Sequence, residues 1–253
     1  NELPKDRLLP HSQPVWLKGK TKKAIVICLH GFIATVYEAR PIAEALYLAG
    51  IDAACPLFPA HGLKNEKEAE KAMSEVKYEQ WLNCIRQEIA FARKQYENVF
   101  IYGQSMGGIV ALRMAEEGLV DACATTAPAI KLPTGVGFGV KLLGWANLNV
   151  HLTFNPTFFN EAYTFNNLRS VKQLQQMALL VRKDLQKIKC PLLSCHSPAD
   201  EAVSPKHVPK WLQEQIPHSI IKWFSGGHTM PLDVDAEKIK ATLVEFLDRK
   251  SVV

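Results

Sequence analysis

Six short apolar runs recur along the chain, each four to six residues long and nearly uninterrupted by polar residues. Runs of this length are typical of strands that are buried on both faces, as in a parallel sheet. They cover residues 24–29, 52–55, 99–102, 122–126, 192–196 and 219–224. We therefore expect a mostly parallel central sheet.

Between and after these runs, apolar residues recur at the three- and four-residue spacing of helices. The helical stretches are 42–49, 79–95, 106–117, 206–215 and 235–249. Alternation of strands and helices predicts a doubly wound α/β fold with helices on both faces of the sheet. A length of 253 residues suits one such domain, spanning residues 1–253.

The alternation stops over residues 129–187, a stretch rich in glycine and aromatic residues with one clear helical pattern at 171–181. A segment this long is no ordinary connection, and we interpret it as an inserted cap. Its large apolar residues either line an acyl pocket or anchor the cap to the core, and anchoring is the favoured interpretation. They are Phe138, Leu142, Leu143, Trp145, Leu148, Phe154, Phe158 and Phe159.

Composition excludes several classes of protein. Hydrophobic residues make up 47% and charged residues 22%, which is ordinary for a globular enzyme. The net charge of +5 includes a lysine cluster at 18, 20, 22 and 23, which we interpret as a solvated edge. Without interleaved aromatics or a nucleic-acid motif, it predicts no nucleic-acid partner. No apolar run is long enough for a membrane helix.

The six cysteines, at 28, 55, 84, 123, 190 and 195, lie mostly in the apolar runs and lack paired C-x-x-C spacing. We expect buried free thiols, which favour a reducing compartment and a cytoplasmic location. The chain begins at Asn1 and not at a methionine, so removal of a leader stays open. The oligomeric state does not follow from the sequence.

Candidate chemistry begins with the pattern G-x-S-x-G at residues 103–107, which makes Ser105 the candidate nucleophile. The pattern requires a sharp turn from a strand into a helix, at which flanking side chains would collide, and Gly103 and Gly107 meet that requirement. The apolar run before it and the helical pattern after it supply the strand-turn-helix context. The alternative is a glycine-rich loop for phosphate binding or helix packing.

A serine nucleophile needs a histidine base and an acid that orients the histidine. In this fold class the order along the chain is serine, acid, histidine, with the last two on loops after later strands. Asp200, in a polar loop after the run 192–196, is the candidate acid, and Glu201 is its competitor. His228, which follows two glycines after the run 219–224, is the candidate base.

The oxyanion of an acyl-transfer reaction needs backbone N–H donors, one from the residue after the nucleophile and one from the loop after an early strand. Met106 supplies the first donor and Phe32 the second, with Gly31 allowing the backbone to turn. His61 follows another strand and is expected to shape the pocket. No H-E-x-x-H pattern or metal-ligand spacing occurs among the histidines, so we predict neither a metal nor another cofactor.

These motifs together resemble the α/β-hydrolase superfamily, and within it the small bacterial carboxylesterases and monoacylglycerol lipases. The resemblance runs from His30-Gly31-Phe32 to Gly227-His228 and implies the roles assigned above. The chain departs from the family pattern at Ala60-His61-Gly62, where the family often has Gly-His-Gly.

We therefore expect a hydrolase that cleaves small-molecule carboxylic esters through an acyl-enzyme on Ser105, with medium-chain acyl groups or monoacylglycerols as preferred substrates. The same residues also suit a thioesterase or an amidase, because the triad does not specify the leaving group. A ligand-binding module on a hydrolase scaffold is the alternative from outside the enzymes.

Overall fold

The computed structural model describes residues 4–19, 23–131, 143–151 and 158–251. Seven strands form the central sheet, and two short strands pair separately. The strands are β1 (Val15–Leu17), β2 (Ala24–Leu29), β3 (Asp52–Cys55), β4 (Asn98–Gln104), β5 (Ala122–Thr126), β6 (Asn149–His151), β7 (Phe165–Asn167), β8 (Leu192–His196) and β9 (Ile220–Trp223).

The central sheet has the strand order β1-β3-β2-β4-β5-β8-β9. All its neighbouring strands are parallel except β1, which pairs antiparallel with β3. Four of the six strands predicted from apolar runs have the predicted bounds, and the other two differ by one or two residues at their ends. The mostly parallel sheet is confirmed.

Helices cover both faces of the sheet, as predicted. They are α1 (Val36–Leu48), α2 (Glu66–Glu75), α3 (Tyr78–Ala92), α4 (Met106–Glu116), α5 (Leu168–Asp184), α6 (Val208–Gln215) and α7 (Ala236–Ser251). Short 3₁₀ turns occur at Lys5–Arg7, Leu185–Lys187 and Met230–Leu232. The predicted helix at 42–49 begins earlier, because α1 continues through Pro41 back to Val36. The strongly charged α2 was not predicted.

Alternating residues of β2 belong to two different cores, one on each face of the sheet. Ile25, Ile27 and Leu29 pack on one side, while Val26 and Cys28 pack on the other. Every residue of β2 is buried, as expected for a central parallel strand. The prediction of burial on both faces is wrong for β9, where Ile220 and Trp223 are about half exposed because β9 is the edge strand of the sheet.

The inserted segment, residues 129–187, contains the antiparallel pair β6 and β7 and the helix α5, whose apolar face packs in the core. The predicted helix at 171–181 is thus confirmed and lengthened. The expectation that large apolar residues anchor this segment is wrong for Leu143, Trp145 and Leu148, whose exposed fractions are 49%, 71% and 52%. Phe159 is 63% exposed, but its ring packs edge-on against Tyr37 of α1 at 5.1 Å between the ring centroids. Phe138, Leu142 and Phe154 lie outside the described residues. The single domain with a cap stays a prediction.

All six cysteines are free. Cys28, Cys55, Cys123 and Cys195 are buried as expected, but Cys84 and Cys190 are only partly so. In the ranges that the structure describes, no helix combines the length and apolar character needed to cross a membrane.

Candidate active site

Ser105 lies at the sharp turn between β4 and α4. Its backbone has φ 53° and ψ −110°, a strained conformation for a residue other than glycine. A Cβ on Gly103 would lie 2.1 Å from the carbonyl oxygen of Gly107, and a Cβ on Gly107 would lie 2.6 Å from that of Leu29. Both glycines are therefore required by close backbone approach, as predicted.

A chain of hydrogen bonds joins the three side chains that the sequence singles out. His228 Nε2 lies 2.8 Å from Ser105 Oγ, and His228 Nδ1 lies 2.9 and 3.0 Å from the two carboxylate oxygens of Asp200. Because an ionised carboxylate only accepts, Nδ1 carries the proton and Nε2 is free to accept the serine hydroxyl. This is the protonation state that a general base requires.

Of the two candidate acids, Asp200 is the one that bonds to His228, and no such bond occurs between Glu201 and His228. Asp200 Oδ1 also accepts the backbone N–H groups of Ala202 and Val203 at 2.9 and 2.8 Å. These bonds fix the carboxylate, whose side chain is only 3% exposed. Glu201 is exposed and acts on His228 only through its charge.

The loop that carries His228, here the β9 loop of residues 224–229, is held by groups from the sheet and the neighbouring chain. Gln104 Nε2 donates to the carbonyl oxygen of His228 at 2.7 Å. Asp233 accepts from the Gly227 amide at 2.5 Å, and the Ser197 hydroxyl donates to the Gly226 carbonyl. Gly226 has φ 104°, so a glycine is needed there for backbone reasons.

The environment of His228 raises its pKa. Burial alone would lower it, but the hydrogen bond and the charge of Asp200 raise it, and the charges of Glu38 and Glu201 add to that effect. The imidazolium is thus stabilised relative to a histidine in water, as needed when the ring takes the proton of a nucleophile.

The loop after β2, here the β2 loop of residues 30–35, lies against the nucleophile. Neither the Phe32 amide nor the Met106 amide donates a hydrogen bond to any residue in the described ranges. Two uncommitted N–H groups beside a serine suit the binding of an oxyanion. Gly31 is expected to allow the backbone to turn, and the residue of this loop with a positive φ is Ile33, at 60°. Gly31 is needed for space: its Cβ would lie 2.8 Å from Glu38 Oε2.

Two buried histidines fix the β2 loop to residues 58–61: His30 is the first residue of the loop, and His61 lies outside it. His61 Nε2 accepts the Ile33 amide at 3.3 Å, while His61 Nδ1 donates to the Pro59 carbonyl at 2.9 Å. His30 Nε2 accepts the Phe58 amide at 3.2 Å. Because both ring nitrogens are engaged and the rings are buried, the neutral forms are favoured: burial lowers the pKa of His61 to about 4 and that of His30 well below its usual range. His61 thus supports this loop.

Residues of the inserted segment also form hydrogen bonds to the β2 loop. Tyr163 donates its amide to the Ile33 carbonyl at 2.9 Å, and its hydroxyl accepts the Leu63 amide at 2.8 Å. The Glu161 carboxylate accepts from the Thr35 hydroxyl at 3.1 Å and from the Ser12 hydroxyl at 2.9 Å. The β2 loop is therefore fixed by residues more than a hundred positions away in the chain.

Comparison with protein families gives a match over residues 20–230 to the family described as serine aminopeptidase, S33. The chain belongs to this family. The resemblance to the α/β-hydrolase superfamily is thereby confirmed. Within the described ranges of this S33 family member, no three His, Cys, Asp or Glu side chains are grouped to hold a metal ion.

Relatives of this S33 family member include a curated protein named thermostable monoacylglycerol lipase, from Bacillus sp. (strain H-257). It is 27% identical over 229 residues, which are 87% of this chain and 89% of the relative.

Solved structures also resemble the chain. One, from work on the metagenome-derived lipolytic enzymes LipS and LipT, has a TM-score of 0.84 at 20% identity, covering 96% of this chain and all of the other. Another is the monoacylglycerol lipase of Paleococcus ferrophilus, with a TM-score of 0.76 at 18% identity, covering 94% of this chain and 98% of the other. At these identities the likeness shows the fold, and it confirms the predicted α/β-hydrolase fold.

Gln104 and Glu38 are among the residues that support the site and were not predicted from the sequence. Gln104 occupies a variable position of the G-x-S-x-G pattern, and nothing in the pattern indicates that its side chain holds the β9 loop. For Glu38 a signal exists, because Thr35 followed three residues later by Glu38 is a helix-start signature. The helix does start there, with Thr35 Oγ1 accepting the Tyr37 amide, but the carboxylate of Glu38 bonds to Gly31 instead of Thr35.

Proposed function

We propose that this protein hydrolyses small-molecule carboxylic esters through an acyl-enzyme on Ser105, with His228 as general base and acid, Asp200 as the orienting acid, and the Phe32 and Met106 amides as oxyanion donors. The class, a carboxylic ester hydrolase, is confirmed by the family and by the monoacylglycerol lipase relative. The observation that carries the residue roles is the hydrogen-bond chain from Ser105 through His228 to Asp200.

The geometry supports a two-step reaction. Ser105 Oγ attacks the ester carbonyl carbon as its proton passes to His228 Nε2, and the carbonyl oxygen becomes the oxyanion. His228 then gives that proton to the departing alcohol, which leaves an acyl-Ser105. A water attacks the acyl carbon and gives one proton to His228, which returns it to Ser105 Oγ as the carboxylic acid leaves. Asp200 stabilises the imidazolium in both steps.

We propose monoacylglycerols or esters with medium-chain acyl groups as the substrates. The support is the name of the Bacillus relative together with the apolar character of the inserted segment. A series of p-nitrophenyl esters and monoacylglycerols of increasing acyl length tests this proposal, with a kcat/KM maximum expected at medium chains. A maximum at acetyl esters would contradict it. Matched thioesters and amides in the same panel identify the preferred leaving group.

The nucleophile is tested by Ser105→Ala. We expect kcat for p-nitrophenyl esters to fall by about a million-fold, since the hydroxyl that forms the acyl-enzyme is gone. A fluorophosphonate probe should label the wild-type protein and not the variant, and far-UV circular dichroism should be unchanged. Ser204→Ala, at another loop serine, is the matched control and should keep full activity. Substantial ester turnover by folded Ser105→Ala would refute the proposed mechanism.

A further inference from the structure

Glu38 places a buried carboxylate directly behind the candidate oxyanion site, outside the triad. It lies in the first turn of α1 and is only 4% exposed. Its Oε2 accepts the Gly31 amide at 2.5 Å, and its Oε1 accepts the side-chain amide of Asn160, in the inserted segment, at 3.3 Å. The carboxylate therefore joins the β2 loop to the inserted segment.

A helix-capping role does not account for the burial of this group. An acidic residue in a first turn stabilises a helix equally well when it is exposed, whereas burying a carboxylate costs free energy. That cost is visible here, since burial raises the pKa of Glu38, while the Gly31 hydrogen bond, the charge of His228 and the Asn160 hydrogen bond lower it. The carboxylate therefore interacts electrostatically with the protonated form of His228, which links it to the candidate active site.

Gly31 is confined between Glu38 and the nucleophile. A Cβ built on Gly31 would lie 2.8 Å from Glu38 Oε2 and 3.4 Å from Ser105 Cβ. The amide before Phe32 in the chain is held by Glu38, and the amide after it, that of Ile33, is held by His61 at 3.3 Å. The Phe32 amide between them is the one left uncommitted among the described contacts.

We infer that Glu38 is a positioning residue: by holding the Gly31 amide, its carboxylate fixes the β2 loop so that the Phe32 amide is presented to the oxyanion. This inference rests on the proposed function. It also links the inserted segment to the oxyanion donor, because Asn160 of that segment bonds to the same carboxylate. Other ionisable groups around the site include Asp200 and Glu201, whose charges act on His228, and the buried His30 and His61. Tyr102 is another, and its pKa is raised by burial and, to a smaller extent, by the charge of Glu38.

The test compares Glu38→Met, which keeps the length of the side chain but cannot accept, with Glu38→Gln, which keeps an acceptor oxygen. Oxyanion donors act on the transition state, so Glu38→Met should lower kcat about ten- to a hundredfold with KM changed less than about twofold. Glu38→Gln should restore kcat to within about threefold of wild type. Affinity for a trifluoromethyl ketone, whose adduct carries the oxyanion, should fall in step with kcat. The control is Glu44→Met, an exposed residue of the same helix.

Two outcomes would overturn the inference. One is a folded Glu38→Met with kcat within about twofold of wild type, and the other is a Glu38→Gln as impaired as Glu38→Met, which would assign the effect to charge. If Glu38→Met does not fold, Gly31→Ala is the substitute, because the added Cβ displaces the Glu38 carboxylate. We expect Gly31→Ala to lower kcat in the same way. An unchanged kcat in that variant would refute the inference. Failure of the proposed function is seen separately, as activity retained by Ser105→Ala.

Discussion

The β9 loop and the β2 loop meet at Ser105, yet they are supported in different ways. The β9 loop, which carries the candidate base His228, is held by groups of the sheet and of the connections at its carboxyl edge, namely Gln104, Ser197 and Asp233. The β2 loop is held by buried neutral histidines and by residues 160–163 of the inserted segment. Changes in the inserted segment should therefore act first on the β2 loop, which carries the candidate oxyanion donor. The position of the candidate base depends instead on the sheet and its connections.

Among the changes that distinguish the two loops, the largest effect is expected from a change beside His228 in the β9 loop. Asp200→Asn should lower kcat by about 10⁴-fold, because an asparagine can donate to Nδ1 and so favour the tautomer in which Nε2 carries the proton. The backbone amides of Ala202 and Val203 keep an acceptor, so the thermal midpoint should shift little. Steady-state ester kinetics and differential scanning calorimetry measure the two quantities. Glu201→Gln is the matched control, and near-normal activity of Asp200→Asn would move the acid role elsewhere.

A smaller effect concerns His61, which supports the β2 loop, and its contribution to the free energy of unfolding. Unfolded His61 titrates near 6.5 and the folded residue at about 4, so the unfolded chain binds the proton first as the pH falls. The stability that the neutral ring contributes is therefore present above pH 6.5 and is lost between about 6.5 and 4. We expect His61 to account for about 2 kcal/mol of the loss in the free energy of unfolding between pH 7 and 4.5.

Urea unfolding of wild type and His61→Gln at both pH values measures this contribution. The pH dependence should be shallower in His61→Gln by that amount and unchanged in His218→Gln, an exposed histidine. His228 has the opposite sign, because its raised pKa contributes stability at low pH that is lost as the pH rises through the folded value. Equal pH slopes for wild type and His61→Gln would contradict the assignment.

The smallest effect is expected at Ala60, where the chain departs from the glycine that the superfamily often has. Ala60 has φ 68°, and its carbonyl accepts the Tyr163 hydroxyl at 3.0 Å. Ala60→Gly should raise the free energy of unfolding by about 0.5 kcal/mol, because the relief of left-handed strain exceeds the added chain entropy. Ala49→Gly, at φ −77°, should lower it by a similar amount. A destabilised Ala60→Gly would show that the strain is negligible.

Much of the scaffold and the order of the site could be predicted from the sequence, because these depend on local signals. Buried parallel strands are continuous apolar runs, and Gly103 and Gly107 flank Ser105 at the fixed spacing of a short sequence pattern, although the contact that requires Gly107 is with Leu29 of β2. The short edge strand β1 and the charged helix α2 lack such a signal. The bonds from Glu38 to Asn160 and from Gln104 to His228 could not be predicted for another reason, since these partners become neighbours only once the sheet and the inserted segment are assembled.

The position of His228, in the loop that follows the last strand of the sheet, has a consequence for how the protein loses activity on heating. β9 is paired along four residues with β8 as its one neighbour in the central sheet, and two of its large side chains are half exposed. Ser105 and the β2 loop follow strands that are paired on both sides. Fraying of an edge strand needs less energy than disrupting the middle of a sheet. On heating, His228 should therefore leave the candidate site while Ser105 is still in place, and inactivation should begin as a local and reversible opening before the fold is lost.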